Sequence, residues 1–275
     1  MSSELDIDKI FDLAVNLAKE GGKLITEAIG KEKKVSTKAS NVDFVTEWDQ
    51  KVEKLLITGI SEKYPQHKFI AEESTNEKLK LTDDPTWIID PIDGTMNFVH
   101  GNPLVCISIG FYCNKEAVFG IIYNPCLDQL YSAIKGRGAY LNDRQIHVSG
   151  VTELSKALIC HEGGSSRDPL KMESVKDNFA ALYPKAHGFR TYGTCAISTA
   201  FLASGAVDVY YETGPHIWDI AAGSLIIREA GGVVIDPTGG PLDLMSRQFL
   251  CASSMELALE VSKLLKLVPM KRDDE

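Results

Sequence analysis

The stretch WIIDPIDGTMNF, Trp87 to Phe98, runs an apolar segment of strand type into two carboxylates three residues apart. Asp90 ends the run, Pro91 stiffens the turn, and Asp93 is followed at once by Gly94 and Thr95. Like charges this close repel unless a cation lies between them. Mg²⁺ is a hard cation held by one or two carboxylates, waters and substrate phosphate. Such a turn aims Asp90, Asp93 and the Ile92 carbonyl at one point. Thr95 then opens a short helix whose free N–H groups seat an anion. The same letters also read as a solvated turn followed by a tight Asp-Gly β-turn. Two other stretches bear on the choice. FIAEES places Glu72 and Glu73 at a strand end, and HIWDIAAG places Asp219 at a helix start, where Asp alone serves as a cap or dipole partner.

The chain has 275 residues, 44% apolar and 24% charged, an ordinary composition for a protein with a sizeable core. A net charge of −9 with no long basic block argues against a nucleic-acid partner. An acidic protein that handles phosphate needs a cation to overcome its own field. Six cysteines (Cys106, Cys113, Cys126, Cys160, Cys195 and Cys251) form no C-x-x-C pair and read as reduced cytoplasmic thiols. The N-terminal MSSELDIDKIFDLA lacks the basic region of a targeting peptide, and no run of 18 apolar residues spans a membrane. The closing KRDDE reads as a frayed tail. With no G-x-x-x-x-G-K-[ST] and no G-x-S-x-G, P-loop nucleotide binding and serine hydrolysis are excluded.

Helical spacing predicts a helix over Ser3–Ile29, capped at Ser3 and ended by Gly30, and a second from Thr46 to Lys63. KEKKVSTKASNVD between them is a polar loop. HKFIAEE and TWIID are strands. LVCISIGFYCN, EAVFGIIYN and QLYSAIKG form an antiparallel meander that GRGAYLNDRQIHV continues. ALICHEGG opens a second half with helices near Asp168–Leu182, Thr194–Ser204 and His216–Ala230, strands at VDVYYE and GGVVIDP, and a last strand and helix. Ser253 and Glu256 read as the capping box of that helix, with Leu257, Val261, Leu264 and Val268 as its buried stripe. The alternation predicts a layered α/β or α+β architecture. Strand order does not follow from it.

DPIDGTMNF together with WDIAAG resembles the paired signature of the inositol monophosphatase family, within the lithium-sensitive, magnesium-dependent phosphatases. VDFVTEWDQKVE, AEES, GRGAYLN, YYETGPHIWD and DLMSR resemble the same family, in order, over nearly the whole chain. The resemblance implies an α-β-α-β-α sandwich, a single domain over 1–275, and a homodimer in the cytoplasm with no membrane attachment. The metal motif falls in the half at about 1–150 and the substrate-selecting residues in the half at about 151–270. It implies a phosphoric monoester hydrolase that splits inositol monophosphates, such as myo-inositol 1-phosphate, into inositol and phosphate. That activity serves inositol recycling and phosphatidylinositol signalling. Glu72, Asp90, Ile92 (through its carbonyl), Asp93 and Asp219 match ligands of two or three Mg²⁺, and inhibition by Li⁺ is implied as well.

By the same resemblance Glu72, Thr95 and Asp49 orient or deprotonate the attacking water. Asp49 accepts from the Thr95 hydroxyl, because an unassisted Thr is too weak an acid to serve as base. Lys38 and Asp43 match positions near a weaker third metal. Substrate contacts map to Asp93, Gly94, Thr95, Ser165, Gly193, Thr194, Cys195, Glu212 and Asp219. Gly193 and Thr194 open a helix whose N–H groups face phosphate or ring hydroxyls, and Glu212 accepts from polyol hydroxyls. The charges are consistent: four carboxylates at about −4 would repel a phosphate monoester near −2, and two Mg²⁺ at about +4 would neutralise them and remove that repulsion.

Three positions depart from the commonest family pattern: Met96 for Thr, Cys195 for Ala, and Pro215 before His216. None removes a ligand, and a thiol at Cys195 implies sensitivity to bulky thiol reagents. Alternatives are a sugar-phosphate, fructose-bisphosphate or 3′-phosphonucleotide phosphatase, and a catalytically silent metal-binding regulator. The lack of a Lys/Arg cluster beside YYETGPHIWD favours a neutral polyol carrying one phosphate.

Overall fold

The computed structural model describes residues 5–37, 44–75 and 78–275. Helix α1 (Ile7–Ala28) is capped by Asp6, whose Oδ1 accepts from Lys9 N at 3.2 Å; the expected cap Ser3 lies outside the described residues. The segment read as a loop holds β1 (Val35–Thr37), which pairs antiparallel with β2 (Phe44–Thr46) just beyond it. Thr46 caps α2 (Glu47–Ser61), with Asp49 accepting from Thr46 N at 2.8 Å to close a capping box.

A seven-stranded sheet follows in chain order: β3 (Lys68–Ala71), β4 (Thr86–Asp93), β5 (Cys106–Cys113), β6 (Glu116–Asn124), β7 (Gln129–Ile134), β8 (Ala139–Leu141) and β9 (Arg144–Ile146). The β3–β4 pair is parallel and the rest is the predicted antiparallel meander. The short helix α3 (Thr95–Val99) sits between β4 and β5. The second half supplies β10 (Leu158–His161), α4 (Pro169–Leu182), β11 (Gly188–Arg190), α5 (Cys195–Ala203), β12 (Val209–Thr213), α6 (Ile217–Glu229), β13 (Val233–Ile235), β14 (Gln248–Ala252) and α7 (Met255–Ser262). Its sheet runs β11-β10-β12-β14-β13. The cap of α7 is Ser254 rather than Ser253, whose hydroxyl donates to Val151 O at 2.6 Å; Leu264 and Val268 both lie beyond the helix end.

Period-2 patterning places two cores around the larger sheet. Ile107, Ile109, Phe111, Phe119 and Ile121 join Ile10, Ala14, Val52 and Leu56 under α1 and α2. The opposite face meets α5 and α6 through residues such as Ile122, Ala133, Ala200 and Ile226, which also cover Tyr210, Phe249 and Cys251 of the smaller sheet. The far face of that sheet is closed by Leu182 of α4 and by Leu257 and Val261 of α7. The result is the five-layer α-β-α-β-α stack.

α6 lies unusually close to the larger sheet. A Cβ on Gly120 would stand 2.5 Å from Ala222 O, and one on Gly110 would stand 3.1 Å from Ala221 Cβ. This approach fixes how far the start of α6 reaches toward β4. Gly120→Ala is therefore expected to cost about 1–3 kcal/mol by overpacking against backbone. Thermal denaturation should show a lower Tm, and an unchanged Tm would mean that α6 shifts freely.

Candidate active site

Asp90 does not end its strand. β4 continues to Asp93, with Asp90 opposite Ser108 and Asp93 opposite Cys106. Pro91 and Ile92 thus oppose the single residue Ile107, which is a bulge. Residues i and i+3 of a regular strand face opposite sides; the extra residue restores the phase. Both carboxylates consequently face the α5–α6 layer. Proline suits the bulge because it has no N–H to leave unpaired.

Each carboxylate is held by one edge. Asp90 Oδ1 accepts from Ile92 N at 3.0 Å. Asp93 Oδ2 accepts from the Thr194 hydroxyl and, at 2.5 Å, from Ala196 N, both at the start of α5. Asp219 Oδ2 accepts from His216 N at 2.6 Å at the start of α6. One oxygen from each of Asp90, Asp93 and Asp219 lies within 4.8 Å of the others. Glu72 follows β3, its N–H donating to Ile89 O at 3.2 Å, and its carboxylate adjoins Asp90. Burial, then the charges of Glu72, Asp93 and Asp219, raises the Asp90 pKa well above the usual carboxylate range. Burial pushes Asp93 up to about 6 against its donors. Burial, then Asp93 and Glu72, raises Asp219. Crowded, buried carboxylates of hard oxygen donors fit a divalent cation.

Asp49 is fully buried rather than solvent-facing. Its Oδ2 is taken by Thr46 N and by Thr46 Oγ1 at 2.5 Å, which leaves Oδ1 for the Thr95 hydroxyl at 3.3 Å. That hydroxyl also lies 3.1 Å from Ile92 O. Gly94, left-handed at φ 89°, turns the chain into α3 at the floor of a cavity of about 460 Å³. Glu72, Asp90, Ile92, Asp93, Gly94, Thr95, Asp219 and all of Ser165, Gly193, Thr194, Cys195 and Glu212 line it, and so do Met96 and Pro215. Lys38 and Asp43 lie outside the described residues.

Several expectations change. The first-turn donors of α5 do not point at free space: Ala196 N is spent on Asp93, and Gly193 N donates to Glu162 Oε1 at 3.0 Å. Cys195 borders the cavity but is itself buried, and burial raises its thiol pKa far above the usual range. A basic cluster does exist near Glu212: Arg167 and Lys171, four residues apart, meet Arg247 from a distant segment at the cavity. The tail is not frayed. The Asp273 carboxylate, 2% exposed, meets His216 Nδ1 at 2.6 Å and accepts from Ile217 N at 2.9 Å. Its backbone bonds Met245 O and Leu79 N, tying the start of α6 to the loop after Glu72. Sequence reading also missed Glu162, which burial and then the Glu212 charge push up to about 8. Its place at a strand end before Gly-Gly is the signal that singled out Glu72.

A layered frame that gathers acidic side chains beside a glycine-turned helix start suits metal-assisted hydrolysis of a phosphate ester. The chain belongs to the inositol monophosphatase family, whose model matches residues 6–267. It is 48% identical to human inositol monophosphatase 1 over 267 residues, 96% of each chain. The Thermotoga maritima IMPase superposes with a TM-score of 0.85 at 30% identity, covering 93% of this chain and 96% of that one. Staphylococcal IMPase-I complexed with products matches at 0.81 and 25%, covering 94% and 95%.

Proposed function

We propose that this chain hydrolyses inositol monophosphates to inositol and inorganic phosphate, with Mg²⁺ held by Glu72, Asp90, Asp93, Asp219 and the Ile92 carbonyl. The convergence of Asp90, Asp93 and Asp219 within 4.8 Å carries this reading. Mg²⁺ bound there would offset the charge of the carboxylates and would ease deprotonation of water beside the ester. Gly94 and Thr95 offer backbone donors to the phosphate at the start of α3. Thr95 passes a proton toward Asp49, with Glu72 orienting the attacking water from the other side. Glu212 accepts from the alcohol. Two or three ions per site and inhibition by Li⁺ belong to the same proposal.

A monophosphate of a neutral polyol remains the favoured substrate despite the basic cluster. Glu212 offsets Lys171, and Asp273 lies 3.7 Å from Arg247 Nε, so of these three basic residues Arg167 at the rim is the one with no acidic neighbour to offset it among the described residues. We read the chain as one domain that forms a homodimer through the α4 face, where Leu170, Phe179 and Tyr183 are exposed. Six unpaired thiols support a cytoplasmic site of action. No helix among the described residues is long and apolar enough to cross a membrane.

Phosphate release from myo-inositol 1-phosphate, fructose 1,6-bisphosphate and a 3′,5′-bisphosphonucleotide, with Mg²⁺ and with chelator, tests the reading. Preference for either bisphosphate would overturn the substrate, and turnover in chelator would overturn the metal requirement.

The raised carboxylates also set a pH dependence. Asp93 titrates near 6 when folded, and Asp90 and Asp219 are raised too, against about 4 in an unfolded chain. In metal-free protein the folded state therefore binds the extra protons, and this contribution to stability is lost as pH rises from about 4 through the folded pKa values. A divalent ion must displace those protons. The rise in Tm on adding Mg²⁺ should be larger at pH 8 than at pH 5 in scanning calorimetry; equal rises would contradict the assignment.

A further inference from the structure

Lys171 is 3% exposed, yet it borders the cavity. It stands in the first turn of α4, where its N–H donates to the Asp168 cap at 3.1 Å. An ammonium near a helix start gains nothing from the helix dipole. Among the described residues it forms no ion pair within 4.0 Å, although Glu212 acts on it through space. Burying a cation in this way is costly unless a ligand completes its hydrogen bonds.

The surroundings are built for that ammonium. Two glycine loops cradle it: a Cβ would stand 2.6 Å from Lys171 Nζ on Gly164 and 2.5 Å from it on Gly214. Each loop is pinned by an arginine. Arg167 Nη1 donates to Gly164 O at 3.1 Å, and Arg247 Nη2 donates to Gly214 O at 2.6 Å. The same point above Gly164 lies 3.2 Å from Glu212 Oε1. Glu212 Oε2 is engaged by the Tyr210 hydroxyl, so Oε1 is the oxygen left facing Lys171. Donor and acceptor thus flank a gap about one oxygen wide, too wide for a direct ion pair.

We propose that Lys171 is a specificity residue: with Glu212 it seats one hydroxyl of the departing alcohol, donating to that oxygen while Glu212 accepts its proton. The pair is neutral in sum, so the seat takes a polyol hydroxyl in preference to a second phosphate, which would face the Glu212 carboxylate. An alcohol without a hydroxyl there leaves both buried charges unpaired, the condition under which polar sites discriminate strongly. This rests on the reading of the cavity as a polyol-phosphate hydrolase.

The test compares kcat/KM for myo-inositol 1-phosphate and for phenyl phosphate, whose leaving group carries no further hydroxyl. In Lys171→Met the ratio of the two should fall about 10- to 100-fold, the range for a lost hydrogen bond to a charged group. The loss should fall in KM more than in kcat, because the hydroxyl is held alike in ground and transition states. Lys171→Gln, which keeps a donor, should lose less and provides a second variant should the methionine protein fold poorly. A ratio unchanged in both variants, or equal losses on both substrates, would overturn the proposal. Wild type that splits phenyl phosphate and not myo-inositol 1-phosphate would instead remove the functional reading beneath it.

Discussion

Asp93→Asn should lower kcat/KM by about 10³-fold or more, the equivalent of about 4 kcal/mol or more of lost metal stabilisation in the transition state. The geometry explains why so small a change is so damaging. The Thr194 hydroxyl and Ala196 N both donate to one edge of Asp93. An asparagine must turn its carbonyl toward those donors, so its amide N–H₂ faces Asp90 and Asp219. A donor then replaces an oxygen ligand. The same substitution removes a buried like charge from a cluster whose pKa values are raised by burial and then by mutual repulsion. The metal-free variant should consequently melt no lower than wild type, while the Mg²⁺-induced rise in Tm disappears. Loss of activity with an intact Mg²⁺ response would show that Asp93 acts otherwise.

Thr95→Ala should reduce kcat by about 10²- to 10⁴-fold, the range for a positioned proton-transfer group, with the Mg²⁺ response in Tm retained. Alanine is a good helix former, so α3 should persist. Thr95→Ser should restore most of the rate because it returns the hydroxyl. Asp49→Asn should mimic the loss. Its carbonyl would take the Thr46 donors that now hold Oδ2, leaving an amide N–H₂ toward Thr95 with the wrong polarity. The double variant should be no worse than either single one, since the two residues act as one relay. Additive losses would separate them.

Much of this architecture is legible along the chain because it is locally encoded. The long period of α1, the Thr46 cap of α2 and the alternation through β5, β6 and β7 are repeated signals, and the structure follows them within a few residues. The acidic strand ends and helix starts also carry through, since a carboxylate after an apolar run is visible in a short window. What escapes is set by distant partners. Whether Asp90 ends β4 depends on where β5 pairs, so the bulge at Pro91 and Ile92 cannot be read from β4 alone. Ser253 was the better match to a capping box, but Val151, about a hundred residues away, claims its hydroxyl. The joining of Lys171, Arg167 and Arg247 around Glu212 needs the order of the second sheet, which periodicity does not contain. Asp273 sits in a charged terminal run with no pattern of its own, and its role comes wholly from the helix start it caps.

Crystals grown with Mn²⁺ in place of Mg²⁺ provide the most direct measurement, because anomalous scattering locates the ion independently of activity. A strong anomalous peak bonded to the facing oxygens of Asp90, Asp93 and Asp219 is the expected result. Carboxylates splayed apart with no peak between them, at saturating Mn²⁺ and neutral pH, would contradict a cation-centred site.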